Sequence, residues 1–142
     1  MMRKDDSVTT TLPPIGSTTW VVADGYIPPA STGPSPEMTS HDSVCMLNAG
    51  PKDARVELSV FFTDRSPLGP FVLHVPAYRA HHQRVNDLHD PAKIPAGVDY
   101  SLVLRSDVAI VVQHTRLDSR QAANALMTTI AYPVQTFWGV GE

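Results

Sequence analysis

The chain has 142 residues, with eleven Lys and Arg against fourteen Asp and Glu, which gives a formal net charge of −3. This balance argues against a broadly basic surface of the kind that binds nucleic-acid backbones. Hydrophobic residues make up 42% of the chain and charged residues 18%, a composition typical of one globular domain with a buried core. The single cysteine, Cys45, excludes an intrachain disulfide and a cysteine-rich zinc site, and its apolar neighbours predict a buried, inert thiol.

The two ends of the chain differ in composition from its middle. Residues 1–15 are polar and include a Pro-Pro pair, so we expect a flexible N-terminal arm. We expect the folded domain over residues 16–133 and a C-terminal tail over 134–142, in which Phe137 and Trp138 are exposed. No run approaches the roughly 18–20 apolar residues that span a bilayer, and the start of the chain lacks the apolar core of a secretory signal. We therefore expect a cytoplasmic protein.

Thirteen prolines and eight glycines interrupt the sequence at short intervals, which favours many short strands over helices. Alternating apolar and polar residues over 55–63 are typical of a half-buried antiparallel strand. A Ser106-Asp107 pair predicts a tight turn between two strands, and the last segment could also extend a helix from Ser119. About eight strands predict one antiparallel β-sandwich, similar to a jelly roll. They span residues 20–24, 43–48, 55–63, 71–75, 79–86, 100–105, 109–115 and 126–132.

Two of the predicted strands change from apolar to polar side chains along one face. The run IVVQHTRLDSRQ, residues 110–121, becomes cationic at its end, and HQRVND, residues 82–87, repeats polar side chains at the same parity. We therefore predict that both strands contribute to one concave ligand site, with an aromatic wall nearby. The predicted ligand-binding residues are Trp20, His82, Arg84, Asn86, His114, Arg116 and Arg120.

Each of these residues also has a purely structural interpretation. Trp20 lies beside two valines and would equally pack in the core. The histidines would equally be side chains on a solvent-exposed face whose hydrogen bonds are all made. Arg116 and Arg120 would equally form ion pairs with Asp118 or Asp87 that hold a loop or a subunit interface.

The residue types indicate which chemistry such a site supports. Planar polar side chains beside an aromatic ring suit a carbohydrate-like or other small polar ligand, because buried hydroxyls need partners and sugar rings stack on aromatic surfaces. The adjacent His81 and His82 would point to opposite faces of a strand, so we expect no metal ion and no cofactor. The sequence contains no nucleophile elbow and no glycine-rich phosphate loop, so we expect that the protein is not an enzyme.

Five segments in order resemble the sensory rhodopsin transducer family across residues 17–132. They are WVVADGYIPP (20–29), SHDSVCMLNAG (40–50), GPFVLHVPA (69–77), RVNDLHDPAKIP (84–95) and VVQHTRLDSRQAANALMTTIAY (111–132). The resemblance implies a β-sandwich subunit that assembles as a cyclic homotetramer, and kinship with carbohydrate-binding β-sandwich modules. It also implies a sensory rhodopsin as partner for some members, and binding to DNA has been proposed for the rhodopsin-linked one. The run RAHHQR, residues 79–84, is less basic here than in the family, which weakens the expectation of DNA binding.

Two functions follow from the residues and the resemblance together. The first is a non-enzymatic signalling or binding protein whose polar pocket takes a small ligand. The alternative is a protein-interaction module that couples a membrane photoreceptor or another sensor to a downstream partner, with DNA among the candidates. In both cases we expect a homo-oligomer, most simply a tetramer, because sandwich edges need covering and Phe61, Val103 and Val111 lie on the outward parity of their strands.

Overall fold

Eight antiparallel strands make up nearly all the regular structure in the computed structural model, which describes residues 12–135. The predicted all-β fold is confirmed. Of the predicted arm and tail, residues 1–11 and 136–142, including Phe137 and Trp138, lie outside the described residues. The strands are β1 Ser17–Tyr26, β2 His41–Asn48, β3 Ala54–Phe62, β4 Leu68–Val75, β5 Arg79–Arg84, β6 Asp99–Asp118, β7 Ala125–Ile130 and β8 Tyr132–Pro133, with a 3₁₀ turn at Val85–Asp87.

The long strand β6 belongs to both layers of the sandwich. Its first half pairs with β1 and β3, and its second half pairs with β2 and β7. The first layer therefore has the order β4-β3-β6-β1-β8 and the second the order β5-β2-β6-β7. A strand that switches layers in this way joins two sheets without a loop.

The predicted tight turn at Ser106-Asp107 is wrong, because the chain continues in the same direction through it. Between the pairs Thr19–Arg105 and Ser17–Ile110, two steps along β1 oppose five along β6, so β6 bulges where it leaves the first layer. The polar residues serve this bulge: the Asp107 carboxylate accepts a hydrogen bond from the backbone N–H of Arg55 at 2.8 Å. Turn-type residues here mark a change of layer.

The core lies between the two layers and receives every second side chain of the central strands. Alternation of this kind places one face of each strand inside and the other in water. The fully buried side chains with the largest volumes are Phe71, Met46, Leu58, Leu102, Leu104, Ile110 and His114. The one polar member of this set, His114, marks the point where the interior becomes ionic.

Candidate functional site

A buried carboxylate on β2 organises the polar interior. Asp42 lies at the same inward parity as Val44 and Met46 and is fully buried. An isolated ionised carboxylate in a protein core costs several kcal/mol, so it is stable there only with partners that replace water. The sequence HDSVCMLN thus requires cationic or donor groups on the strands that surround β2.

Four groups from three parts of the chain supply those partners. The backbone N–H of Tyr26 donates to Asp42 Oδ2 at 3.0 Å, and the Tyr100 hydroxyl donates to the same oxygen. The His114 ring contacts Oδ1 through Nε2, and Arg116 Nε lies 3.6 Å from Oδ1. Among the described residues, no buried side-chain nitrogen or oxygen lacks a hydrogen-bond partner. The network is complete without a ligand.

Tyr100 acts in this network as a permanent donor. Its burial, followed by the negative charge of Asp42 and their hydrogen bond, raises the pKa of the Tyr100 phenol far above its ordinary value. The hydroxyl therefore stays protonated and donates a hydrogen bond to the carboxylate. Tyr100 lies at the start of β6 and Asp42 at the start of β2, so this bond ties the first layer to the second.

Asn86 holds the backbone next to the carboxylate. Its Oδ1 accepts a hydrogen bond from the Asp42 N–H at 3.2 Å, and its Nδ2 donates to the Ser40 carbonyl at 3.1 Å. Ser119 fixes the loop before β2 in the same way, because its hydroxyl donates to the Met38 carbonyl at 2.6 Å. These bonds are side chain to backbone, the usual means of fixing a loop against a sheet.

Arg116 and Arg120 flank the ring of Tyr26, with their guanidinium carbons 5.9 and 5.8 Å from its centroid. Arg116 also donates to the carbonyls of Tyr26 and Asp24 at 3.1 and 2.9 Å. Arg120 pairs with Asp118 at 2.6 Å, and this hydrogen bond lowers the pKa of the Asp118 carboxyl. The expected ion pair with Asp118 is present for Arg120, whereas Arg116 lies beside Asp42 and Asp24 and pairs with neither Asp118 nor Asp87.

The outer face of the second layer carries a separate polar surface. Cys45 lies opposite both His82 and Gln113, and Ser43 lies opposite both Arg84 and Thr115. The side chains that share this face enclose a groove of about 440 Å³, which we call the outer groove. Its lining residues are His41, Ser43, Cys45, His82, Arg84, Gln113 and Thr115.

The structure does not bring the predicted ligand-binding residues to one concave site, so the predicted convergence is wrong. The register explains the separation: β2 pairs Cys45 with His82 but Val44 with His114, so the two histidines lie on opposite faces of one sheet. Trp20 lies elsewhere, 4% exposed in the core, with its indole N–H shared by the carbonyls of Ser17 and Ile110. The predicted residues divide into the outer groove with His82 and Arg84, the Asp42 network with Asn86, His114 and Arg116, and the surface pair of Arg120.

Sequence reasoning missed Asp42 and Tyr100. The available signal was the position of Asp42 at the apolar parity of an otherwise hydrophobic strand, which requires buried partners. The sequence predicts a buried Cys45. In the structure, Cys45 points to the opposite face of β2 from Val44 and Met46, so it is half-buried and lines the outer groove. Burial still raises the pKa of the Cys45 thiol, which disfavours the reactive thiolate.

Two further observations concern residues 12–135 alone. No three His, Cys, Asp or Glu side chains in this part of the chain lie close enough together to hold a metal ion. No helix in this part of the chain is long and apolar enough to cross a membrane.

Fold and site together define a small β-sandwich protein with a buried ionic centre and a polar groove on one outer face. The chain belongs to the sensory rhodopsin transducer family: residues 15–133 match the family model described as Anabaena sensory rhodopsin transducer. The resemblance seen in the sequence is thereby confirmed.

The chain is similar to several solved structures, including the following two. The Anabaena sensory rhodopsin transducer is 52% identical, with 73% of this chain and 100% of that chain covered and a TM-score of 0.67. The crystal structure of Thermotoga maritima 1070 is 32% identical, with 84% of this chain and 97% of that chain covered and a TM-score of 0.76. No curated protein sequence matches the chain.

Proposed function

We propose that this protein is a non-enzymatic signalling protein that couples a membrane receptor of the sensory rhodopsin type to a downstream partner in the cytoplasm. The observation that carries this proposal is the 52% identity to the Anabaena sensory rhodopsin transducer over the whole of that chain. The hydrogen-bonded interior supports it, because every buried side-chain nitrogen and oxygen of the described residues already has a partner. Such an interior stabilises a scaffold and leaves recognition to the surface.

Receptor coupling is tested with Anabaena sensory rhodopsin in lipid nanodiscs. We expect saturable binding of the wild-type chain by interferometry, and a changed decay of the light-induced absorbance of the receptor when the chain is present. Empty nanodiscs of the same lipid are the control. Absence of binding up to about 100 µM, which covers the affinities of ordinary transient complexes, together with an unchanged decay, would contradict the proposal.

The second candidate is binding of a small polar ligand, and the outer groove favours it. This groove contains two of the seven predicted ligand-binding residues, His82 and Arg84, on a face otherwise lined by hydroxyl, amide, thiol and imidazole groups. A DNA partner receives less support, because the net charge is −3 and one arginine lines the groove.

We also propose that the chain forms a homo-oligomer, as a tetramer, through the edge of the second layer at β7. All six residues of β7 are exposed, and Leu126 and Ile130 are 71% and 55% exposed. Residues 121–135 contain no charged side chain. Natural sheet edges that remain in water are protected by charges, so an uncharged apolar edge indicates a surface that is covered.

Phe61, Val103 and Val111, the outward residues of the initial oligomer prediction, contribute less exposed apolar surface than β7. Phe61 is 42% exposed, while Val103 and Val111 are half-buried. The proposed contact therefore centres on β7, and Phe61 lies on the first layer as a separate exposed residue.

A further inference from the structure

The outer groove has the dimensions and layout of a small-molecule site. Its floor is β2 and its sides are β5 and β6, three adjacent strands whose register is regular throughout this region. Its volume of about 440 Å³ lies within the roughly 300–1,000 Å³ of ordinary ligand pockets. Because the lining side chains project from a paired sheet, their positions relative to one another are held by backbone hydrogen bonds.

Ser43 at the floor of the groove has a hydroxyl that is available to a ligand. This residue is only 7% exposed and lines the groove. Its backbone pairs with β5 and β6, but its hydroxyl takes part in none of the side-chain hydrogen bonds made by the described residues. No buried side-chain oxygen of the described residues lacks a partner, so the Ser43 hydroxyl is accessible to solvent from the groove and is free to donate to a ligand.

The charge of the groove selects the class of ligand. None of its seven lining residues is Asp or Glu, although acids outnumber bases in the whole chain. Arg84 supplies a permanent positive charge, and no carboxylate of the described residues forms an ion pair with it. The Pro36 carbonyl accepts one of its hydrogen bonds at 2.9 Å, which holds the guanidinium in place and leaves its other N–H groups available.

The groove also lacks the feature that a sugar ring requires. No Trp, Tyr or Phe lines it, and Trp20, the expected aromatic wall, is buried in the core. Carbohydrate recognition relies on an aromatic face for the apolar side of the ring. The remaining side chains are donors to oxygen: the guanidinium of Arg84, the hydroxyl of Ser43, the imidazole of His82 and the amide of Gln113.

We infer that the outer groove binds a small oxyanion, a phosphate, sulfate or carboxylate group, with Arg84 as the charged contact and Ser43 as a neutral hydrogen-bond donor at the floor. The inference rests on the proposed binding of a small polar ligand and names its class. The anion can be free or part of an organic metabolite. Planar guanidinium groups bind both phosphate and carboxylate through paired N–H donors, so the shared chemistry is the oxyanion.

Isothermal titration calorimetry of the full-length chain tests the inference, with inorganic phosphate, sulfate, citrate and glucose as probes at constant ionic strength. We expect saturable binding of at least one of the three anions and none of glucose. Tighter binding of citrate than of the inorganic ions indicates a carboxylate metabolite, and the reverse order indicates a free inorganic anion. No saturation by any anion up to about 50 mM, far weaker than a 1 mM Kd, or equal binding of glucose, would overturn it.

Three variants locate the site. Arg84→Gln should weaken anion binding by at least about tenfold, because charge-assisted hydrogen bonds are about twice as strong as neutral ones. Ser43→Ala should weaken it severalfold without altering the charge, which covers the case in which Arg84→Gln disturbs the fold. Arg105→Gln, an exposed arginine outside the groove, is the charge-matched control and should bind as the wild type does. Equal loss in Arg105→Gln, or no loss in Ser43→Ala and Arg84→Gln, would overturn the inference.

Receptor coupling is measured separately on Ser43→Ala in the nanodisc assay. Because the anion site is proposed independently of the receptor surface, we expect receptor binding by this variant to equal that of the wild type. Anion binding with no receptor binding contradicts only the signalling proposal. Receptor binding with no anion binding contradicts only the proposed site.

Discussion

Replacing Asp42 by Asn removes the charge at the centre of the buried network while preserving the shape of the side chain. The carboxylate accepts hydrogen bonds from the Tyr26 N–H and the Tyr100 hydroxyl, contacts His114, and pairs with Arg116 Nε at 3.6 Å. An amide offers one oxygen in place of two and turns an NH₂ group toward a donor. At least one buried donor therefore loses its acceptor, and the guanidinium of Arg116 loses its buried counterion and keeps only the exposed carboxylate of Asp24.

The size of the effect follows from the burial of the groups. Asp42 is 0% exposed, and the side chain of Arg116 is 16% exposed. Removing one partner of a buried ion pair costs about 3–5 kcal/mol. We expect a loss of about this size for Asp42→Asn, which lowers the melting temperature of a domain of this length by roughly 10–20 °C.

The measurement is urea unfolding at pH 7, followed by circular dichroism and by the fluorescence of the buried Trp20. Asp24→Asn is the matched control, because its carboxylate lies 3.5 Å from Arg116 but its side chain is 81% exposed. Exposed ion pairs contribute about 0–1 kcal/mol, so this variant should remain close to the wild type. A loss below about 1 kcal/mol in Asp42→Asn, or an equal loss in Asp24→Asn, would refute the role given to burial.

Three further predictions concern Tyr100, Cys45 and β7. Because burial and the charge of Asp42 raise the pKa of Tyr100 in the folded state, its stabilisation is complete below about pH 10 and falls above it by up to about 1.4 kcal/mol per pH unit. Tyr100→Phe should remove this slope from urea titrations between about pH 9 and 11, and an unchanged slope would contradict the assignment. Burial raises the pKa of Cys45, so a thiol reagent at pH 8 should modify the folded chain at least about tenfold more slowly than the urea-unfolded chain, and equal rates would exclude this protection. Leu126→Lys with Ile130→Lys should lower the mass found by light scattering toward the 15.5 kDa subunit. Val72→Lys, on the exposed side of β4 at the other layer, should not, and a wild-type chain that is already monomeric would refute the oligomer.

Strand positions were predictable because their signal is local. Alternation in 55–63 corresponds to β3, where Val56, Leu58 and Val60 are buried. The β-branched residues of 126–132 correspond to β7 and β8, so the strand and not the helix is present there. Each of these assignments depends on neighbours within a few residues, and the side-chain period of a strand decides the face.

The ligand site was less predictable because it depended on register between strands distant in sequence. His114 and Arg116 do share a face, as their spacing predicts, and so do His82 and Arg84. The alternation of side chains within one strand does not predict which of its two faces points into the core. That choice follows from the pairing of both strands with β2, where a shift of one residue exchanges the faces.

The sequence by itself determined the all-β class, most of the strands and membership of the transducer family, because alternation, strand-breaking residues and long motifs are properties of contiguous segments. Only the tertiary structure decided that β6 runs unbroken through both layers, that Trp20 packs in the core, and that Asp42 becomes the partner of Tyr100 and His114. The last two side chains lie 58 and 72 residues from Asp42 along the chain. A buried carboxylate must be neutralised wherever the fold encloses it, and which residues do so depends on strand pairing, which no local pattern specifies.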